Sequence, residues 1–220
     1  MKRGLNMVDT SILLLMTILL AVFLSFAGNR WIDKLYADFS AILTFPQDIA
    51  PRSLLRHKGL AFLLGVLFSL TTLRHPGILP LQLYFLFAFE YLLLLYTFTD
   101  FEQQVIFDNM LLPFPLLGGI YTTLMGMPIF DHALAAATGG IVFLLISILT
   151  HGGIGGGDIK LIASLGLWLG TDALLSITIT GLILGGIAAL LLLVTGKKKR
   201  NEYFAYGPYF TIVTILLTVY

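Results

Sequence analysis

Two carboxylates stand where apolar segments end. Gly155-Gly156-Gly157-Asp158 puts an Asp on a glycine-rich junction between one apolar run and the next, and Asp100 closes another apolar run far upstream. A carboxylate at such a border is costly unless water solvates it or chemistry uses it. Two Asp side chains brought together suit aspartyl protease chemistry. Carboxyls about 3 Å apart cannot both ionise, so they share a proton; one then activates water while the other polarises a peptide carbonyl. That chemistry needs no nucleophile, metal or cofactor. The glycines before Asp158, Gly155 and Gly157 included, let substrate backbone approach closely and permit conformations that other residues avoid. Taken singly, the same features fit a blander reading: Asp158 as a helix N-cap and Asp100 as a solvated loop residue.

The elements that must carry these residues follow from composition. The 220 residues are 58% hydrophobic and 11% charged, and the mean hydropathy is +0.94. A soluble domain is about 45–50% apolar and about 25% charged, so this is the composition of an integral membrane protein in contact with a lipid bilayer. The net charge of +1 points to no charged partner, and no basic, aromatic-interleaved stretch suggests a nucleic acid. Cysteine is absent, which removes disulfides, thiol catalysis and Cys-based zinc sites. His57, His75, His132 and His151 are scattered and make no metal-binding helix pair, so no metal site is expected.

Apolar runs fall at about 8–27, 59–73, 81–99, 110–127, 133–150, 160–170, 173–195 and 204–220. A helix needs about 20 residues to cross a ~30 Å core, so the run at 160–170 is short unless Thr171 and Asp172 reach the far interface. The expectation is an all-α polytopic bundle of about eight transmembrane helices, with seven possible. The first run follows Lys2 and Arg3 but exceeds a signal-peptide core of about 7–15 residues and lacks a small-x-small cleavage site, so it reads as a retained helix. An N-terminal two-helix region over 1–80, with a loop at about 28–58, would precede a catalytic membrane-embedded region over 81–220.

Orientation follows from Lys and Arg in alternate loops. One set holds Arg30, Lys34, Arg52, Arg56, Lys58, Lys160, Lys197, Lys198, Lys199 and Arg200; the other holds Lys2, Arg3 and Arg74. Ten against three puts the first set in the cytoplasm. Asp100, ending the third span, and Asp158, beginning the sixth, then share that side, whereas Asp131 and Asp172 fall on the opposite one and are not expected to be catalytic. Glu90 lies inside the third span, where a polar group of the bundle is its natural partner.

The wider sequence carries a resemblance. Thr99-Asp100-Phe101-Glu102-Gln103-Gln104-Val105-Ile106-Phe107-Asp108, followed by an apolar run to Pro113, is similar to the first signature of type IV prepilin peptidases, with Phe107 in place of the usual Pro. Gly155-Gly156-Gly157-Asp158-Ile159-Lys160-Leu161 resembles the second signature, and Tyr206-Gly207-Pro208-Tyr209 the third. Together they cover about residues 90–215. The resemblance implies that Asp100 and Asp158 are the catalytic pair of an aspartic endopeptidase. Its substrate would be the leader of type IV prepilins or pseudopilins, cut at the cytoplasmic face of the inner membrane, in a type IV pilus, type II secretion or competence system. Asp108 would support the site by capping or hydrogen bonding, and Lys160 would either bias the local field or anchor its helix among headgroups. Many members also methylate the new N-terminus and carry two Cys-x-x-Cys pairs in an early loop. Here Pro51-Arg52-Ser53 faintly resembles the segment before the first pair, but the cysteines are missing. No cofactor is expected, with S-adenosylmethionine needed only if methyl transfer is retained.

Two rivals predict different sequence features. A presenilin-like intramembrane protease shares Gly-x-Gly-Asp but sets its first Asp within a span beside a Tyr, whereas Asp100 sits at a span end in Thr-Asp-Phe. A transporter with carboxylate ion sites favours acids near mid-span in broken helices. An assembly factor without activity is the structural alternative.

Overall fold

The computed structural model describes residues 7–196 and 204–219. The Lys and Arg residues at 2–3 and 197–200, which weigh in the orientation argument, lie outside the described residues. Eight α-helices and one 3-10 turn (Ser40–Ile42) are present among the described residues: α1 (Met7–Asp38), α2 (Ile49–Arg74), α3 (Pro80–Gln103), the single turn α4 (Asp108–Leu111), α5 (Pro113–Leu124), α6 (Ile129–Leu149), α7 (Gly156–Val194) and α8 (Gly207–Val219). Five of them are long and apolar enough to cross a membrane. The protein is an all-α, multi-pass membrane protein, as its apolar runs require.

Two helices start, and one stops, at a residue suited to it. Pro80 and Pro113 occupy first-turn positions, where a missing N–H costs nothing. Gln104, with φ 55°, ends α3 in the left-handed conformation. The chain between α1 and α2 narrows to residues 39–48, less than the loop expected over 28–58. Both helices extend past their apolar runs because their charged turns are paired: Arg56, fully buried in α2, bonds Asp33 of α1 at 2.8 Å and Glu102 of α3 at 3.0 Å.

Helix α7 is two antiparallel arms, 156–169 and 171–194, joined at Gly170. That residue has φ 75° and ψ −177°, a region open essentially to glycine alone. Along α6, the first arm runs backwards: His132 Nδ1 lies 2.9 Å from the Leu167 carbonyl, and Ser147 donates to the Ile154 carbonyl at 2.8 Å. The second arm runs forwards: Thr171 bonds Asp131, while Leu174 lies beside Gly139. The reversal severs the helical bond between the Thr171 N–H and the Leu167 carbonyl, and both orphans find partners. Asp131 accepts the Thr171 N–H at 3.1 Å and its hydroxyl at 2.6 Å. Thr122 donates to the Leu167 carbonyl at 2.7 Å. With no water in the membrane core, such accounting is obligatory. This turn also explains the short run at 160–170, which at 1.5 Å per residue gives an arm of roughly 20 Å.

The two helices that carry the aspartates are locked together by aromatic packing. Phe89 of α3 lies 4.8 Å from Trp168 of α7, and Phe114 of α5 lies 5.5 Å from Phe89 and 5.6 Å from Trp168. Trp168 donates its indole N–H to the Phe114 carbonyl at 2.8 Å. Tyr96, buried in α3, donates to the Met110 carbonyl of α4 at 2.8 Å. Every polar tip in this cluster has a partner, as apolar surroundings demand. Glu90 is paired within the bundle through one oxygen, with the Thr71 hydroxyl, while its Oε2 is buried without a partner.

Candidate active site

Asp100 and Asp158 come together at one end of the bundle, where α3 stops and α7 and α8 begin. Asp100 lies in the last turn of α3, and its carbonyl accepts the Gln104 N–H at 2.8 Å. Asp158 is not itself the N-cap of α7. Gly155 is the cap, and Asp158 stands three residues on, the position from which a carboxylate reaches back to the cap's N–H in a capping box. It takes backbone N–H hydrogen bonds from Gly155 and from Gly207, the first residue of α8. The first turns of two helices therefore aim donors at one carboxyl, an arrangement that attracts negative charge.

Gly207 shows how close the two carboxyls come. A Cβ placed on it would lie 2.5 Å from Asp100 Oδ2 and 3.0 Å from Asp158 Oδ1, so both face one point over the α8 N-terminus. Thr97 of α3 and Thr211 of α8, one turn below, share a 2.6 Å hydrogen bond that holds this approach. Asp100 and Asp158 are 5% and 6% exposed, and that remaining access opens into a cleft of about 340 Å³. Ile42 and Thr44 line it from the α1–α2 connection, Gln104–Ile106 from the loop after α3, and Gly155–Gly157, Phe204 and Ala205 complete it.

Of the residues expected to support the site, Gly155 and Gly157 line that cleft. Ile106 lies over Gly157, whose Cβ would come within 3.0 Å of the Ile106 Cβ. Asp108 opens α4 just after this wall and does not cap it. Its carboxylate instead meets the Lys160 ammonium at 2.5 Å. This exposed ion pair links the start of α4 to α7. Asp131 and Asp172 sit at the Gly170 turn, about 18 Å along the arm from Asp158 at 1.5 Å per residue, and take no part in the site.

Sequence reasoning passed over Gly207 as a site residue, though its Tyr-Gly-Pro-Tyr setting had been singled out. It also passed over Arg56, Glu102 and Gln103. The signal was present in the last two, a pair of polar residues closing an otherwise apolar helix, which proved buried rather than solvated. Among the described residues no group of three or more His, Asp or Glu could hold a metal ion. The metal of a paired Cys-x-x-Cys loop does not fit this chain, which has no cysteine. The corresponding segment is instead given to Arg52 and Arg56 and their partners.

Residues 85–190 match the type IV leader peptidase family. The prepilin leader peptidase/N-methyltransferase of Neisseria gonorrhoeae is 34% identical over 164 residues, which cover 72% of this chain and 55% of that protein. The protein of the same name from Aeromonas salmonicida (strain A449) is 32% identical over 123 residues, 53% of this chain and 42% of the relative. That of Bacillus subtilis (strain 168) is 28% identical over 145 residues, 64% and 58% respectively. The chain spans about half the length of these curated relatives. No solved structure matches it.

Proposed function

We propose, for a chain whose residues 85–190 match the type IV leader peptidase family, that it is an aspartic endopeptidase cutting the leader from prepilins or pseudopilins. The observation that carries this reading is the convergence of Asp100 and Asp158 on Gly207 at the floor of a cleft. In the proposed reaction one carboxylate takes a proton from a water as its oxygen bonds the scissile carbonyl carbon. The other carboxyl, protonated, donates a hydrogen bond to the carbonyl oxygen. Collapse of the tetrahedral intermediate breaks the C–N bond, and a proton from the dyad goes to the leaving amine. Asp108, Gly155, Gly157 and Lys160 hold the wall and the α7 first turn in place. The reaction calls on no cofactor. The Thr-Asp-Phe setting of Asp100 at a helix end, rather than mid-span, keeps this reading ahead of an ion-site transporter.

The substrate meets the dyad at the inner membrane's cytoplasmic face in this proposal. Arg30, Lys34, Arg52, Lys58 and Lys160 lie toward the dyad end, and Arg74 closes α2 at the other, the asymmetry expected for a cytoplasmic site end. Because the chain has no cysteine, single cysteines at 104 and 155 report topology directly, and both should react with an impermeant thiol reagent from the same, cytoplasmic, side.

The decisive test incubates the purified protein with a prepilin and follows the leader by mass. Asp100→Asn and Asp158→Asn should each abolish cleavage while the protein is still made and folded. Near-normal cleavage by either variant would sink the dyad.

A further inference from the structure

The helix end that carries Asp100 is held almost wholly from outside the matched segment. The last turn of any helix frays unless its orphaned carbonyls are bonded, and Asp100 stands in such a turn. Its neighbours are clamped by five groups of α1, α2 and the chain between them. Arg56 grips the Glu102 carboxylate through Nε at 3.0 Å and 3.2 Å. Tyr36 donates to the same carboxylate at 2.9 Å. Arg52, whose guanidinium lies 3.5 Å over the Phe45 ring, donates to the Glu102 carbonyl at 3.4 Å. Thr44 donates its N–H to the Gln103 carbonyl at 3.4 Å. The Gln103 amide is then held from both sides by the Phe45 backbone, accepting its N–H at 2.9 Å and donating to its carbonyl at 3.2 Å.

Arg56 and Glu102 are 0% and 1% exposed. Burying an ion pair this deeply is poor value for stability, because the desolvation of two charges offsets their attraction. The remaining Arg56 donors are spent on Asp33 at 2.8 Å and Asn29 at 2.8 Å. One guanidinium therefore fixes α1, α2 and the end of α3 relative to one another, two residues from a dyad carboxyl. The same clamp holds Thr44, which with Ile42 lines the cleft.

Resting on the peptidase reading above, we propose that Arg56 and Glu102 are positioning residues, holding the α3 terminus so that Asp100 meets Asp158, and that the α1–α2 connection forms one wall of the substrate cleft. Neither touches the reacting atoms; they act through the backbone of residues 100–103.

The test compares Arg56→Met, Glu102→Gln and the milder Gln103→Leu with Asp131→Ala, a change of similar kind at the far end of the bundle. For the clamp variants kcat per folded molecule, assayed below each variant's transition, should fall about tenfold or more, as for any small misplacement of a catalytic group, with KM little changed. Asp131→Ala should lose stability and keep kcat. A second measurement needs no activity. Cysteines replacing Asp100 and Asp158 should oxidise to a disulfide faster with Arg56 present than with Arg56→Met. A kcat loss no greater than that of Asp131→Ala, or equal cross-linking in both backgrounds, overturns the clamp. Failure of the unaltered protein to cut prepilin overturns the peptidase reading instead and leaves the cross-linking comparison to decide the clamp. Should Arg56→Met fail to fold, Gln103→Leu and Glu102→Gln carry the same comparison.

Discussion

Gly207 has no side chain, and the Asp100 and Asp158 carboxyls occupy the space that frees. Its backbone sits at the first position of α8, where alanine is conformationally acceptable, so the penalty of a substitution there is steric and local. A methyl group would lie 2.5 Å from Asp100 Oδ2 and 3.0 Å from Asp158 Oδ1. Neither carboxyl can retreat cheaply: one belongs to a clamped helix end, the other takes N–H bonds from two helix termini. Gly207→Ala should cut prepilin cleavage by about 100-fold, the scale of an ångström-level misplacement of reacting groups. Its thermal midpoint in detergent should stay close to that of the parent. Measured side by side, full activity would show that the carboxyls do not converge there. Residue types made both aspartates legible in the sequence. Gly207 was legible only as part of a distant motif, since nothing local says that a glycine fifty residues from Asp158 closes over it.

At the scale of elements, the Gly170 reversal is the feature that sequence reading nearly reached. The runs at 160–170 and 173–195 are separate in hydropathy, and the first is too short to span unaided. What the pattern cannot show is that one residue makes the turn, or that Asp131, Thr122 and His132 from two other helices satisfy the broken ladder. These are contacts across 35 to 45 residues of sequence. Gly170→Ala forces a side chain into a glycine-only region and against the Asp131 carboxylate. It should cost on the order of 1–3 kcal/mol, seen as a drop of roughly 2–12 °C in Tm for a chain of this size. Asp131→Ala removes the acceptor for the Thr171 N–H and should cost about 1 kcal/mol, as loss of a helix cap does. In both variants cleavage per folded molecule, assayed well below the transition, should match the parent. A selective loss of activity at unchanged Tm would place this turn in the site rather than beneath it. The loop expected over 28–58 misled for a related reason. Charged residues such as Glu102 and Arg56 signal solvent in a linear reading, yet across helices they pair and stay inside.

At the scale of the whole molecule, the helices that carry the dyad and the helices that steady it lie in different parts of the chain. The family match covers 85–190, but α8, beyond it, supplies Gly207, and α1–α2, before it, supplies the clamp. The N-terminal pair is also packed by its apolar face: Phe68 of α2 stacks on Phe87 of α3 at 4.2 Å, and Leu60 and Leu64 are fully buried. Without α2, Glu90 loses its Thr71 hydroxyl and Glu102 loses Arg56, leaving two acids of α3 without these partners on its bared face, a costly state in a membrane. The connection at residues 75–79 is short and mostly exposed, with Gly77 at φ 84°, and no dyad residue touches it. A chain cut just past it, after Pro80 at the head of α3, should therefore behave as two complementary pieces. Residues 81–220 expressed alone should insert but cleave prepilin at under about 1% of the parent rate, since both the clamp and one cleft wall are gone. Co-expressed with residues 1–80, the fragment should recover a large share of that rate, because helix pairs in a bilayer associate by packing and interhelical hydrogen bonds rather than through the covalent link. Arg56→Met in the 1–80 piece should weaken that rescue. Full activity of 81–220 by itself would show that the matched segment and α8 suffice, and that the two N-terminal helices serve the membrane rather than the site.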